Sequence, residues 1–106
     1  MFRTRLYEQR AANGDAKMTA AYREHFKTAE ELMSRGALGE AERSWLLALS
    51  ELRGCPPQDA RLLEIYSNLA RLYIRQANYG RAAQIYVRSL RILEKLNQAT
   101  YLKTVA

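Results

Sequence analysis

GALGEAERSWLLAL (residues 36–49) and ANYGRAAQIYVRSL (residues 77–90) are one pattern written twice, 41 positions apart. Gly39 matches Gly80, Ala41 matches Ala82, Trp45 matches Tyr86, Leu49 matches Leu90 and Leu52 matches Leu93. Upstream the same register pairs Ala29 with Ala70, Leu32 with Tyr73 and Met33 with Ile74. A repeat at this period means that each copy is one supersecondary piece, too small to bury its apolar face alone. Stacked neighbours complete the core. A small residue, a large aromatic four places later, then a small residue and Leu describe a helix face that packs closely on a partner helix.

These residues carry a resemblance. Ala41-x-x-x-Trp45 and Ala82-x-x-x-Tyr86 resemble the second helix of the tetratricopeptide repeat, a helix–turn–helix unit. Ala29 with Leu32, and Leu69-Ala70 with Tyr73, are similar to its first helix. The usual unit is about 34 residues long. The spacing of 41 resembles the longer variant found in kinesin light chain, to which YSNLARLYIRQANYGRAAQIYVRSLRILEK is especially similar. The resemblance spans roughly Met18 to Asn97 and implies an all-α fold, a short right-handed α-solenoid of two units with flanking short helices. The implied organisation is an N-terminal segment 1–14 as a candidate capping helix, one unit over 15–54 and a second over 55–97. Residues 98–106 then start a third unit or form a C-terminal cap.

Composition agrees with one small folded domain. The chain has 106 residues and 48% apolar content, enough for a modest core. No run approaches the ~20 apolar residues of a membrane span. The opening MFRTRLYEQR lacks the apolar stretch and cleavage site of a secretory signal. The single cysteine, Cys55, cannot form an internal disulfide, so a reducing cytoplasm is the expected compartment.

Helical spacing predicts four main helices. Asn13-Gly14-Asp15 reads as a turn with Asp15 as N-cap, followed by Met18, Tyr22, Phe26, Ala29 and Met33 on one face. Gly36 ends that helix. The second runs from about Leu38 to Arg53, burying Ala41, Trp45, Ala48, Leu49 and Leu52, and Gly54 with Pro56-Pro57 stops it. The third starts near Gln58 and carries Leu62, Ile65 or Tyr66, Leu69, Ala70 and Tyr73. The fourth, roughly Tyr79 to Leu96, is expected to bury Ala82, Ile85, Tyr86, Ser89, Leu90 and Leu93. Phe2 to Arg10 is a candidate leading helix. The small residues Ala29, Ala41, Ala48, Ala70 and Ala82 allow close helix approach, and Trp45 and Tyr86 are expected to fill the wedges beside them.

Nothing assembles a reaction centre, and no enzymatic activity is expected. His25 is the only histidine, and no Cys/His cluster offers a metal site. GALGEA lacks the Lys-Ser/Thr of a phosphate loop and follows a helix instead of a strand. No cofactor is implied.

Charge is more informative. Basic residues outnumber acidic ones 9 to 8 over residues 1–53, but 8 to 3 over residues 54–106. No acid lies between Glu64 and Glu94, a stretch that holds Arg71, Arg75, Arg81, Arg88 and Arg91. Arginine suits planar, bidentate contacts to carboxylates. In the resembled family the first helix of each unit lines a concave groove that binds extended peptides. By register that groove takes Arg23, Phe26, Lys27, Glu30, Met33 and Ser34 from the first unit. Glu64, Ser67, Asn68, Arg71, Ile74 and Arg75 come from the second. The resemblance implies that Asn68 holds a peptide main chain, with Arg71 and Arg75 as a cationic strip that Lys27 and Arg23 extend. Phe26 and Glu30 occupy the Lys and Asn positions of the carboxylate clamp of heat-shock-chaperone receptors, which argues against chaperone tails as clients. The expected function is a protein-interaction scaffold that binds an acidic protein or peptide. Two alternatives stand: a homo-oligomeric assembly unit, because two repeats leave apolar ends uncovered, and nucleic-acid binding through the Arg-rich second unit.

Overall fold

The computed structural model describes residues 20–56 and 59–105, and every regular element among them is an α-helix. Helix α1 takes in residues 20–34, α2 is Leu38–Glu51, α3 is Ala60–Arg75 and α4 is Tyr79–Val105. The helices pack in pairs, and among α2, α3 and α4 the contact of α3 with α4 is more extensive than that of α2 with α3. The sequence-based Asp15 cap, Met18 and the leading helix Phe2–Arg10 lie outside the described residues.

Two three-residue turns shape the helix pairs. At the end of α1, Gly36 N–H donates to the Met33 carbonyl and Ala37 N–H to the Leu32 carbonyl, with Gly36 at φ +78°. This left-handed closure satisfies carbonyls that the last helical turn leaves open. Forty-one residues on, Ala77 N–H reaches Ile74 and Asn78 N–H reaches Tyr73, in the same pattern. There the left-handed position is Ala77, at φ +58°, where a Cβ is strained. The next position is reversed in quality. Asn78 Oδ1 accepts from Arg81 N–H and caps α4, whereas Ala37 offers α2 no side-chain cap. Each turn thus has one of the two favoured residues.

Between the pairs, Gly54 turns the chain at φ +89°. Helix α3 begins at Ala60, two residues later than periodicity suggests, because Asp59 caps it. Its Oδ1 accepts from Arg61 N–H at 2.9 Å, and the Arg61 guanidinium folds back onto the same carboxylate at 2.8 Å. That guanidinium holds the Asp59 carboxyl below its ordinary pKa.

The core is one cluster drawn from all four helices. Ala29, Ala41, Ala48 and Ala70 are fully buried, Ala82 nearly so, and Trp45 is 1% exposed. The Phe26 ring meets the Trp45 indole edge-on at 4.8 Å between centroids. The larger side chains Ile65, Leu69 and Leu72 of α3 are buried in the same cluster.

Helix α4 departs from the sequence-based picture in two ways. It continues past Leu96 to Val105 without a break, so residues 98–105 are an extension of α4. Its outer face is also open: Tyr86, Leu90 and Leu93 are 46%, 58% and 40% exposed, while Ile92 is buried. The aromatic at 86 fills no wedge. The cause is positional, since Trp45 on α2 meets the Phe26 ring of α1 and α3 packs on α2 as well, while no described helix covers α4 on that side.

Candidate functional site

The groove between α1 and α3 is set by two cross-ties, each joining residues 42 apart. At one end the Tyr22 hydroxyl donates to Glu64 Oε2 at 3.3 Å, and the Arg61 guanidinium lies 6.0 Å from the centre of the Tyr22 ring. Burial, then the adjacent Glu64 carboxylate, push the Tyr22 hydroxyl well above its ordinary pKa. It therefore stays a donor. At the other end, Arg75 Nη1 donates to the Met33 carbonyl at 3.0 Å. Because the offset is the same at both ends, α1 and α3 run parallel and in register.

Between the ties lies a depression of about 550 Å³ lined by Phe26, Glu30, Ala60, Leu63, Glu64, Ser67, Asn68 and Arg71. A second depression, about 280 Å³, adjoins it with Tyr22, Arg23, Phe26 and Lys27. Phe26 belongs to both, as do Glu30 and Glu64, so the two form one trough along α1 and α3. Phe26 and Leu63 give it an apolar floor. Arg23, Lys27 and Arg71 are exposed, and none has a hydrogen bond or ion pair among the described residues. Glu30 and Glu64 interrupt the positive charge.

Four of the five expected groove residues, Arg23, Lys27, Asn68 and Arg71, are brought together. Arg75 is not free to join them. The last-turn carbonyls of α1 lack intrahelical partners and carry the negative end of the helix dipole, so they attract its guanidinium. Asn68 is partly committed, since its Nδ2 donates to the Glu64 carbonyl one turn back at 2.9 Å. Ile74 and Met33 stand outside the trough. Sequence reasoning missed Tyr22 and Leu63 as lining residues. They are 41 apart, so the repeat register held the signal.

On the opposite side, a smaller cleft of about 200 Å³ runs between α2, α3 and α4, with Arg81, Gln84 and Arg88 over Leu46, Leu49 and Tyr66. Its basic rim is partly spent. Arg81 pairs with Glu42 at 3.7 Å and lies 5.8 Å from the Tyr73 ring centre. Burial, followed by Glu42, raises the Tyr73 pKa.

Elsewhere His25 Nε2 sits 3.9 Å from Glu51 Oε1, linking α1 to α2. Among the described residues no group of His, Cys, Asp and Glu is placed to hold a metal ion, and no helix is long and apolar enough to cross a membrane. Compared with protein-family models, curated proteins and solved structures, the chain matches none.

Proposed function

We propose that this chain is an interaction module of two tetratricopeptide-like hairpins, stacked as a short right-handed solenoid, that holds a segment of another protein in the α1/α3 trough. It performs no catalysis in this reading. The observation that carries it is the trough itself, an apolar floor walled by Arg23, Lys27 and Arg71, none of them paired among the described residues. An extended segment would seat an apolar side chain on Phe26 and Leu63 and turn a carboxylate toward Lys27 and Arg71. Charge-assisted hydrogen bonds of that kind are roughly twice as strong as neutral ones. Ser67 and Asn68 add main-chain contacts.

Glu30 and Glu64 narrow the choice of ligand. Their carboxylates repel a uniformly acidic segment, and such built-in repulsion is how sites gain specificity. The best fit is therefore a segment with acidic residues beside an apolar anchor. A phosphate backbone fits less well, because the two glutamates lie among the cations along its path.

Selection from a random peptide library against the full chain tests this reading. The expected winners combine an apolar anchor with a neighbouring Asp or Glu. They lose binding to Lys27→Glu/Arg71→Glu and bind Arg88→Glu/Arg91→Glu as they bind the unmodified chain. Winners indifferent to the first pair would place the working surface elsewhere.

A further inference from the structure

Outside the trough, positive charge gathers in a row along α4. Arg81, Gln84, Arg88, Arg91 and Lys95 follow in steps of 3, 4, 3 and 4, so they share one face of the helix, and all five are exposed. At about 1.5 Å per residue the row runs about 21 Å. Arg88, Arg91 and Lys95 have no hydrogen bond or ion pair among the described residues. No acid interrupts the row. Glu42 of α2 reaches it but is paired with Arg81 at 3.7 Å. Glu94 lies about 100° round the helix from Lys95, on the side of Val87 and Leu90.

The repeat does not require this row. Forty-one residues upstream the same register holds Glu40, Arg43, Leu47, Ser50 and Gly54, so helix packing alone does not call for cations there.

An apolar cleft lies at the foot of the row. Arg81, Gln84 and Arg88 form one wall of the cleft of about 200 Å³ whose other side holds Leu46, Leu49 and Tyr66. A neighbouring depression of about 350 Å³ shares Leu46 and Leu49 and ends at Arg53, a further exposed cation. Leu46 is 43% exposed. Unpaired cations and open apolar side chains thus run side by side.

We propose that this surface binds single-stranded nucleic acid, with phosphates along the α4 row and bases turned into the cleft. The two halves of the surface select this occupant together. An uninterrupted row of cations suits a polyanion, and arginine suits phosphate in particular. The net charge of +6 and pI of 9.8 add long-range attraction for such a ligand. A single strand joins that polyanion to flat base faces that leave water for apolar side chains, the combination on which single-strand sites rest. A duplex keeps its bases stacked inside and gains nothing from Leu46, Leu49 and Tyr66. A uniformly acidic peptide has no apolar face for the cleft. The trough lies on the opposite side, so its ligand does not enter here.

Fluorescence anisotropy of a labelled oligothymidylate titrated with the full chain across a salt series is the test. Binding is expected, with a log–log salt slope of about −0.7 for each phosphate contacted. Arg88→Gln/Arg91→Gln is expected to weaken binding about tenfold at low salt and to flatten the slope by about 1.4, the share of two contacts. Lys27→Gln/Arg71→Gln removes the same net charge from the trough and should leave the slope unchanged. Leu46→Ala, at an exposed position, should weaken the single strand but not the duplex formed with its complement. Several results would each overturn the proposal: no binding, equal flattening by the two charge pairs, a duplex held as tightly as the single strand, or Leu46→Ala without effect on the single strand. Polyglutamate bound as tightly, with the same loss in Arg88→Gln/Arg91→Gln, would overturn it in favour of an acidic protein.

Discussion

The Arg75 guanidinium of α3 donates to the Met33 carbonyl at the end of α1 over 3.0 Å, tying together two helices that are not neighbours in sequence. Arg71, one turn earlier on α3, has no such partner among the described residues. The two arginines should therefore separate in a stability measurement. Arg75→Ala is expected to cost about 1 kcal/mol, the ordinary value of one net hydrogen bond. Arg71→Ala should stay within about half a kcal/mol, as for most surface changes. Urea denaturation of both variants checks this, and equal losses would show that the tie does not hold α1 to α3.

The two turns offer a paired prediction. Ala77→Gly relieves a left-handed alanine worth about 1–2 kcal/mol. It also loosens the unfolded chain, which offsets about 0.4–1 kcal/mol, so a modest net gain is expected. Ala37→Asn supplies the missing cap of α2 and should add about 1 kcal/mol. For a domain of this size each kcal/mol moves Tm by about 4–8 °C. Calorimetry is the check. A loss at both positions would mean that the turn geometry is wrong.

Asp59 gives a pH dependence with a defined sign. Its folded pKa lies below the ordinary 3.8, chiefly because of the Arg61 hydrogen bond. The unfolded chain then binds the proton more readily. The stabilisation is present above the unfolded value and is lost as pH falls through the folded one. Asp59→Asn keeps a capping side chain but loses the charge, so its stability should depend less steeply on acid below about pH 4. Parallel pH profiles for the two proteins would remove the Asp59–Arg61 pair from the energetics.

Trp45 and Tyr86 share a register position but not an environment. Trp45→Ala should cost about 3–5 kcal/mol, the usual loss for a buried large aromatic. Tyr86→Ala, measured at concentrations too low for self-association, should change stability by about half a kcal/mol or less. Comparable losses would mean that Tyr86 is covered within the monomer.

Much of the fold was legible because Gly36, Gly54 and the helical spacing of Tyr22, Phe26, Ala29 and Met33 are local signals. The end of α4 was not. The repeat suggested a stop near Asn97, but RILEKLNQATYLKTVA contains no Gly or Pro to impose one, and the helix runs on. The exposure of Tyr86, Leu90 and Leu93 was hidden for a different reason: periodicity marks a face for covering without saying whether a cover exists. Within the trough, the positions of Arg23, Lys27, Asn68 and Arg71 follow from register. The diversion of Arg75 depends on the parallel offset of α1 and α3, which appears only in three dimensions.

The trough as a binding site is tested most directly by amide chemical shifts of the labelled chain titrated with a library-selected peptide. Perturbations should cluster on α1 between Arg23 and Glu30 and on α3 between Leu63 and Arg71, and should vanish in Lys27→Glu/Arg71→Glu. Shifts confined to α4 or to the cleft beside Arg81 and Arg88, with α1 and α3 unmoved, would contradict it.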